Sequence, residues 1–194
     1  SEGQCPDGRS QIVSLEPWKI RSLSYDRPSA ADPNAHAARP TGRPLMCSYC
    51  GCESITTIGD FMAEHIEIVN ATTALRLASA SHDTAAAPPA AAVLAQMLTT
   101  HAHREEVGLF RVLARQEEFT SEVTTLCGEH GSLDAQLAAI VAGDLDAVNP
   151  LIDALRDHIN REENGLFPAS AIALSGSEWD EVERTTPPSA VHRA

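Results

Sequence analysis

An all-α fold is predicted for this chain: an antiparallel up-down-up-down four-helix bundle with a short C-terminal helix. Three observations predict it. Hydrophobic residues make up 43% of the sequence while only 4% is aromatic, and the alanine and leucine that dominate are strong helix formers. Apolar residues recur three and four apart through four long stretches, the spacing of one helix face. The breaks between those stretches are short, which makes consecutive helices antiparallel neighbours.

The first helix is expected from about Ser54 to Ala80, with Ile58, Phe61, His65, Ile68 and Leu75 on one face. The second follows the Pro88-Pro89 break, since proline is tolerated at a helix start, and runs from about Ala90 to Arg115. Leu94, Leu98, His101, Glu105, Leu109 and Val112 form its stripe. The third spans about Thr120 to Ala142, with Val123, Leu126, His130, Leu133 and Leu137 aligned and Gly143 as the stop. The fourth spans about Asp146 to Phe167, with Leu151, Leu155, His158, Glu162 and Leu166 aligned and Pro168 just beyond. A fifth, shorter helix is expected from an N-cap at Ser177 to about Arg184.

Outside the bundle region (54–185), residues 1–45 are rich in Pro, Ser, Arg and Asp without apolar periodicity. They are expected to be disordered or loosely attached, with the folded protein beginning near Met46. Residues 46–53 form a cysteine-rich loop, and residues 186–194 a loose tail.

Charge and composition narrow the partners. The formal net charge is −13, from 27 acidic and 14 basic residues. Nucleic acid and acidic membrane surfaces both call for clustered Lys and Arg, so neither is expected as a partner. No apolar run approaches the ~20 residues that span a bilayer, and the first residues lack the apolar centre of a signal peptide. The five cysteines are an odd number, which argues against a closed disulfide framework. A cytoplasmic protein with reduced thiols is the expectation; nothing in the sequence speaks to oligomeric state.

The chemistry lies in an internal repeat. His101-Ala-His-Arg-Glu105-Glu106-Val-Gly-Leu-Phe110 aligns with His158-Ile-Asn-Arg-Glu162-Glu163-Asn-Gly-Leu-Phe167, and Glu64-His65 aligns with Glu129-His130. The chain is two similar helical hairpins, each contributing a His and then a His-x-x-x-Glu. Residues four apart share a helix face about one turn apart, so one helix offers an imidazole and a carboxylate to the same site. Together the four helices direct His65, His101, His130, His158, Glu105 and Glu162 into an otherwise apolar interior. Six buried polar groups without partners would each cost several kcal/mol, and metal ions supply the partner. The bland alternative, core histidines with arginine-paired carboxylates, is weakened because Arg104 and Arg161 sit one residue before the glutamates, on another face.

This pattern resembles the hemerythrin-like (HHE cation-binding) domains over about residues 54–170. The resemblance implies two iron ions with an oxo or hydroxo bridge: His65 and His101 on one iron, His130 and His158 on the other, and Glu105 and Glu162 bridging. Ferritin-like bundles are excluded by their Glu-x-x-His pairs, since no Glu here has a His three residues later. The chain departs from the oxygen-carrying hemerythrins, whose third helix has two histidines four apart and whose fourth has His followed by Asp. Here Asp134 stands four after His130, and Glu162 and Glu163 follow His158. One fewer imidazole leaves an open metal position, which favours reaction with oxidants over a protected oxygen complex.

Weaker candidates surround this set. Asp134 is either an added ligand or an exposed helix residue. Glu163 is a lesser metal candidate; both it and Glu106 read otherwise as solvated or as orienting an imidazole. Cys47, Cys50 and Cys52 could bind zinc, hold an iron–sulfur cluster, form a redox disulfide or simply pack over the bundle end, and Tyr49 in the same loop is a candidate to reach the metal pocket. The ligand set also suits manganese or zinc. The expected function is a non-haem di-iron protein handling dioxygen, hydrogen peroxide or nitric oxide, with catalase-, peroxidase- or nitric-oxide-peroxidase-like handling of peroxide and nitric oxide favoured. The alternatives are a sensor read by a partner, or oxygen or iron storage.

Overall fold

The computed structural model describes residues 51–191, and no strand occurs among them. The helices are α1 (Thr56–Ala80), α2 (Ala87–Glu105), α3 (Arg111–Leu113), α4 (Glu117–Val141), α5 (Val148–Arg161), α6 (Phe167–Ala173) and α7 (Gly176–Thr185). Two π-helical turns, Glu106–Phe110 and Glu162–Leu166, carry α2 into α3 and α5 into α6. Residues 1–45 lie outside the described residues, as do Cys47, Tyr49 and Cys50; the expectations placed on them lie outside as well.

Helix limits follow local chemistry. α2 begins at Ala87 rather than Ala90, so the Pro88-Pro89 pair sits in its first turn, where no backbone N–H is needed. The Asp83 carboxylate accepts from the backbone N–H groups of Ala85 and Ala86 and shapes the turn before it. Gly143, at φ 105°, closes α4 in a conformation that only glycine adopts without strain. Pro168 does not end the fourth helical segment: it falls in the first turn after the π turn, and the helix continues as α6 to Ala173. The cap of α7 is Ser175, not Ser177. Its hydroxyl and backbone engage Glu178 in a capping box.

The four long segments close a ring of neighbours, with α1 and α4 each packed against α2 and α5. One apolar cluster joins the carboxyl-terminal halves of α1 and α4 (Ile68, Leu75, Leu133, Leu137) to the amino-terminal halves of α2 and α5 (Leu94, Leu98, Leu151, Leu155). The opposite halves bury Phe61, Phe110, Leu126 and Phe167. The polar residues of interest lie along the helices between these two apolar zones. α7 packs over the first π turn, α1 and α3. Residues 186–191, expected as a loose tail, instead lie along the first hairpin: the backbone carbonyl of Pro187 accepts from Arg104 Nε, and the Ser189 hydroxyl donates to Glu64.

Candidate metal centre

α1 supplies His65, α2 His101, α4 His130 and α5 His158, and Glu105 and Glu162 stand where α2 and α5 pass into the π turns. The i,i+4 spacing brings His101 Nε2 and Glu105 Oε1 to 3.3 Å, and His158 Nε2 and Glu162 Oε1 to 3.3 Å. The second oxygen of each carboxylate reaches the other hairpin. Glu105 Oε2 is 3.4 Å from His130 Nε2, and Glu162 Oε2 is 3.1 Å from His65 Nε2. Two clusters result, His65–His101–Glu105–Glu162 and Glu105–His130–His158–Glu162, each with its ligand-type atoms within 4.8 Å of one another. All six residues are buried.

The outward ring nitrogens decide what the inward ones present. His65 Nδ1 lies 2.9 Å from Glu163, His101 Nδ1 2.9 Å from Glu64, His130 Nδ1 2.9 Å from Glu106 and His158 Nδ1 2.9 Å from Glu129. An ionised carboxylate only accepts, so each Nδ1 carries a hydrogen and donates it; the tautomer is assigned from the partner. The Nε2 of each neutral ring then points a lone pair inward. His65 and His101 set two such nitrogens 3.0 Å apart. With all four rings neutral, four imidazole nitrogens and the oxygens of two carboxylates share a buried space that holds acceptors and no donor. Both oxygens of Glu105 and of Glu162, and the Nε2 atoms of His130 and His158, make no hydrogen bond among the described residues. Burying such atoms unpaired costs about 1–3 kcal/mol each. Metal cations, added protons or the hydrogens of bound water would relieve an arrangement made of acceptors.

Protons show the same pull. Burial opposes the charged forms of His65 and His130. Contact with Glu162 and Glu163 in one case, and with Glu105 and Glu106 in the other, outweighs it and lifts each imidazole from 6.5 to about 10. Burial likewise opposes ionisation of Glu64, but hydrogen bonds from His101, Ser189 and Arg104 hold its carboxyl down at about 2. In each cluster the surrounding carboxylates thus favour a positive charge on the imidazole.

The π turns explain a feature that i,i+4 spacing does not. Glu105 and Glu106 are both buried, as are Glu162 and Glu163, although consecutive residues of an α-helix diverge by a wide angle. Hydrogen bonding from i to i+5 spreads one more residue around the turn. The first glutamate then faces the centre while the second holds an imidazole of the other hairpin. Phe110 and Phe167 follow one turn on and stack on His130 and His65, at ring-centroid distances of 5.8 Å and 6.0 Å.

Glu163 is placed on the outward nitrogen of His65, and Asp134 is half-buried outside both clusters. Burial raises the Asp134 carboxyl above its usual range. Cys52 is buried ahead of α1 and Cys127 is buried on α4; neither belongs to the two clusters. Glu64 and Glu129 were not singled out as imidazole partners by spacing. The signal for them was the Glu-His pair that occurs once in each hairpin.

Comparison with family profiles matches residues 56–170, from the start of α1 into α6, to the hemerythrin HHE cation binding domain. Comparison with curated proteins and with solved structures gives no match.

Proposed function

The chain belongs to the hemerythrin HHE cation-binding domain family, and from that membership, which implies cation binding, we propose that it is a di-iron protein reacting with small oxidants. The observation that carries this reading is the buried convergence of four imidazoles and two carboxylates, in which both oxygens of Glu105 and Glu162 and the Nε2 atoms of His130 and His158 have no hydrogen-bond partner among the described residues. The closed ring of helix neighbours supports an antiparallel four-helix bundle around it. His65 and His101 would hold one iron and His130 and His158 the other. Glu105 and Glu162, each offering one oxygen to either cluster, would bridge them.

The chain's own residues set the conditions. The four outer glutamates fix each imidazole in the tautomer that leaves Nε2 free to bind. Phe61, Phe110 and Phe167, all fully buried, keep bulk water from the centre. Two imidazoles and two shared carboxylates per metal leave coordination positions free for a small ligand. A bound iron pair with an oxo or hydroxo bridge would supply electron exchange with dioxygen, hydrogen peroxide or nitric oxide, and the free positions favour peroxide and nitric oxide over reversible oxygen carriage.

The test is iron content followed by spectroscopy. Protein loaded with excess iron should hold two ions per chain; one or none ends the di-iron reading. Reduced, iron-loaded protein mixed with dioxygen should pass rapidly to an oxidised absorbance spectrum with no stable adduct. A visible band that reverses on removing oxygen would instead mean a carrier. Oxygen evolved from added hydrogen peroxide and lost in His101→Ala would support peroxide turnover.

A further inference from the structure

The two hairpins repeat the residues around the centre but differ in what lies behind them. In the second hairpin, Glu129 accepts from His158 Nδ1 and from Arg161 Nη1 at 3.0 Å, and this ion pair is open to solvent, with the Arg161 side chain 43% exposed. In the first, the equivalent Glu64 accepts from His101 Nδ1, from Arg104 and from the Ser189 hydroxyl. Arg104 is buried at 3% side-chain exposure. It lies with its guanidinium carbon 5.1 Å from the centre of the Phe61 ring and donates through Nε to the Pro187 carbonyl. Residues 186–189 thus complete the surroundings of Glu64 and Arg104, and the second hairpin has no such cover among the described residues.

The glycines of the two π turns carry the same difference. A Cβ at Gly108 would stand 2.0 Å from Thr186 Oγ1, 3.1 Å from its Cβ and 3.4 Å from its Cα. A Cβ at the equivalent Gly165 would meet nothing within 4 Å. The close approach of Thr186 to the first π turn requires the glycine there.

We propose that residues 186–189 form a strap that positions His101 through Glu64 and Arg104, so that the two metal positions are inequivalent and the one at His65 and His101 depends on the strap. The proposal rests on the two-metal reading above. An imidazole binds a metal best when its outward N–H is held in a fixed direction, and loss of such a partner costs about 10- to 100-fold in metal affinity. Glu64 is held by groups from two other parts of the chain, Arg104 on α2 and Ser189 on the strap. Without the strap, Glu64 and Arg104 gain water and freedom, and His101 loses its fixed partner. His158 loses nothing, because Glu129 and Arg161 are already solvated. Thr186, Pro187 and Ser189 are positioning residues in this scheme and touch no metal ligand.

The experiment is an anaerobic calorimetric titration of the metal-stripped full chain with Fe²⁺. The unaltered protein should take up two equivalents. Gly108→Ala, which displaces Thr186, and Ser189→Ala, which only removes the hydroxyl, should each weaken one equivalent by about tenfold or more and leave the other unchanged. Gly165→Ala should change neither. In a His101→Ala background the two strap variants should have no further effect, while in His158→Ala they should weaken the ion that remains. Equal loss at both positions, no loss at either, or the same loss from Gly165→Ala would overturn the strap while leaving the two-metal reading intact. Fewer than two equivalents in the unaltered protein would overturn that reading itself.

Discussion

The two hairpins hold matching parts of the centre to within a few tenths of an ångström and agree far less beyond it. His101–Glu105 and His158–Glu162 close to the same 3.3 Å, and all four outward imidazole nitrogens sit 2.9 Å from a carboxylate. One step further out, Arg104 is buried under the C-terminal segment while Arg161 stands at the surface. The difference teaches where the constraint ends. Atoms that share a buried polar space must match, because each unmatched one costs the fold directly. A carboxylate's far oxygen can be satisfied by a buried arginine, a hydroxyl or water, so the repeats are free to diverge there.

The common part breaks with the largest effect. Glu105→Ala or Glu162→Ala removes an oxygen from both clusters at once, so on the two-metal proposal either variant should lose most of the bound metal, as read by metal analysis per chain. His101→Ala and His158→Ala should each lose chiefly one.

Acidity tests the common part without iron. His65 and His130 belong to different hairpins and are both raised from 6.5 to about 10. A raised folded-state value means that the stabilisation is fully present below about pH 6.5 and is lost as pH climbs through about 10. The melting temperature of metal-stripped protein should therefore fall across that window, and His65→Ala and His130→Ala should each remove about half of the slope. On the acid side, Glu64 is held at about 2 against 4.5. Its contribution is present above 4.5 and lost as pH falls towards 2. An unchanged melting temperature from pH 6 to 10 would mean that no extra protons reside in the centre.

The divergent part gives a smaller and one-sided effect. Glu64→Ala leaves Arg104 buried without its main partner and should cost about 3–5 kcal/mol in metal-stripped protein. Glu129→Ala takes a partner from the exposed Arg161 and leaves the Nδ1–H of His158 unpaired, and should cost less, about 1–3 kcal/mol. Denaturant midpoints of the two variants check the contrast, and equal losses would mean that Arg104 is not confined as described. Smallest of all, Gly165→Ala should stabilise the helix by about 0.5–1 kcal/mol, while Gly108→Ala should gain nothing or lose stability.

Much of the centre was legible in the sequence because it depends on spacing along single helices. His-x-x-x-Glu, repeated 57 positions later, specifies two faces without further information. The pairings behind it were not legible. Glu64 and Glu129 each precede a histidine of their own helix yet serve the histidine of the next one, a choice made by helix packing. Arg104 reads from spacing as pointing away from the ligands, and so it does, but that direction is covered by residues 186–189, which carry no periodicity to betray them. The π turns were hidden for a related reason. Periodicity assumes a constant winding, and Glu106 and Glu163 become inward-facing only where the winding relaxes. Pro168 misled in the same way, since a proline just past a π turn occupies a first-turn position.

Each π turn amounts to one residue more than regular winding would place in the same length of helix. Each sits at the seam between the polar centre and the aromatic end of the interior. The burial of two consecutive glutamates in each hairpin, Glu105 with Glu106 and Glu162 with Glu163, is therefore set by a single inserted position. Deleting Val107 or Asn164 would restore ordinary winding and leave every residue of the two clusters in the chain and the helix beyond nearly in phase, yet swing Glu106 or Glu163 off the imidazole it holds. The tie between the buried clusters and the carboxylates behind them is a count of residues, and an engineer transplanting the histidines and glutamates onto straight helices would carry over the atoms and lose the partners that hold Nδ1 of His65 and His130.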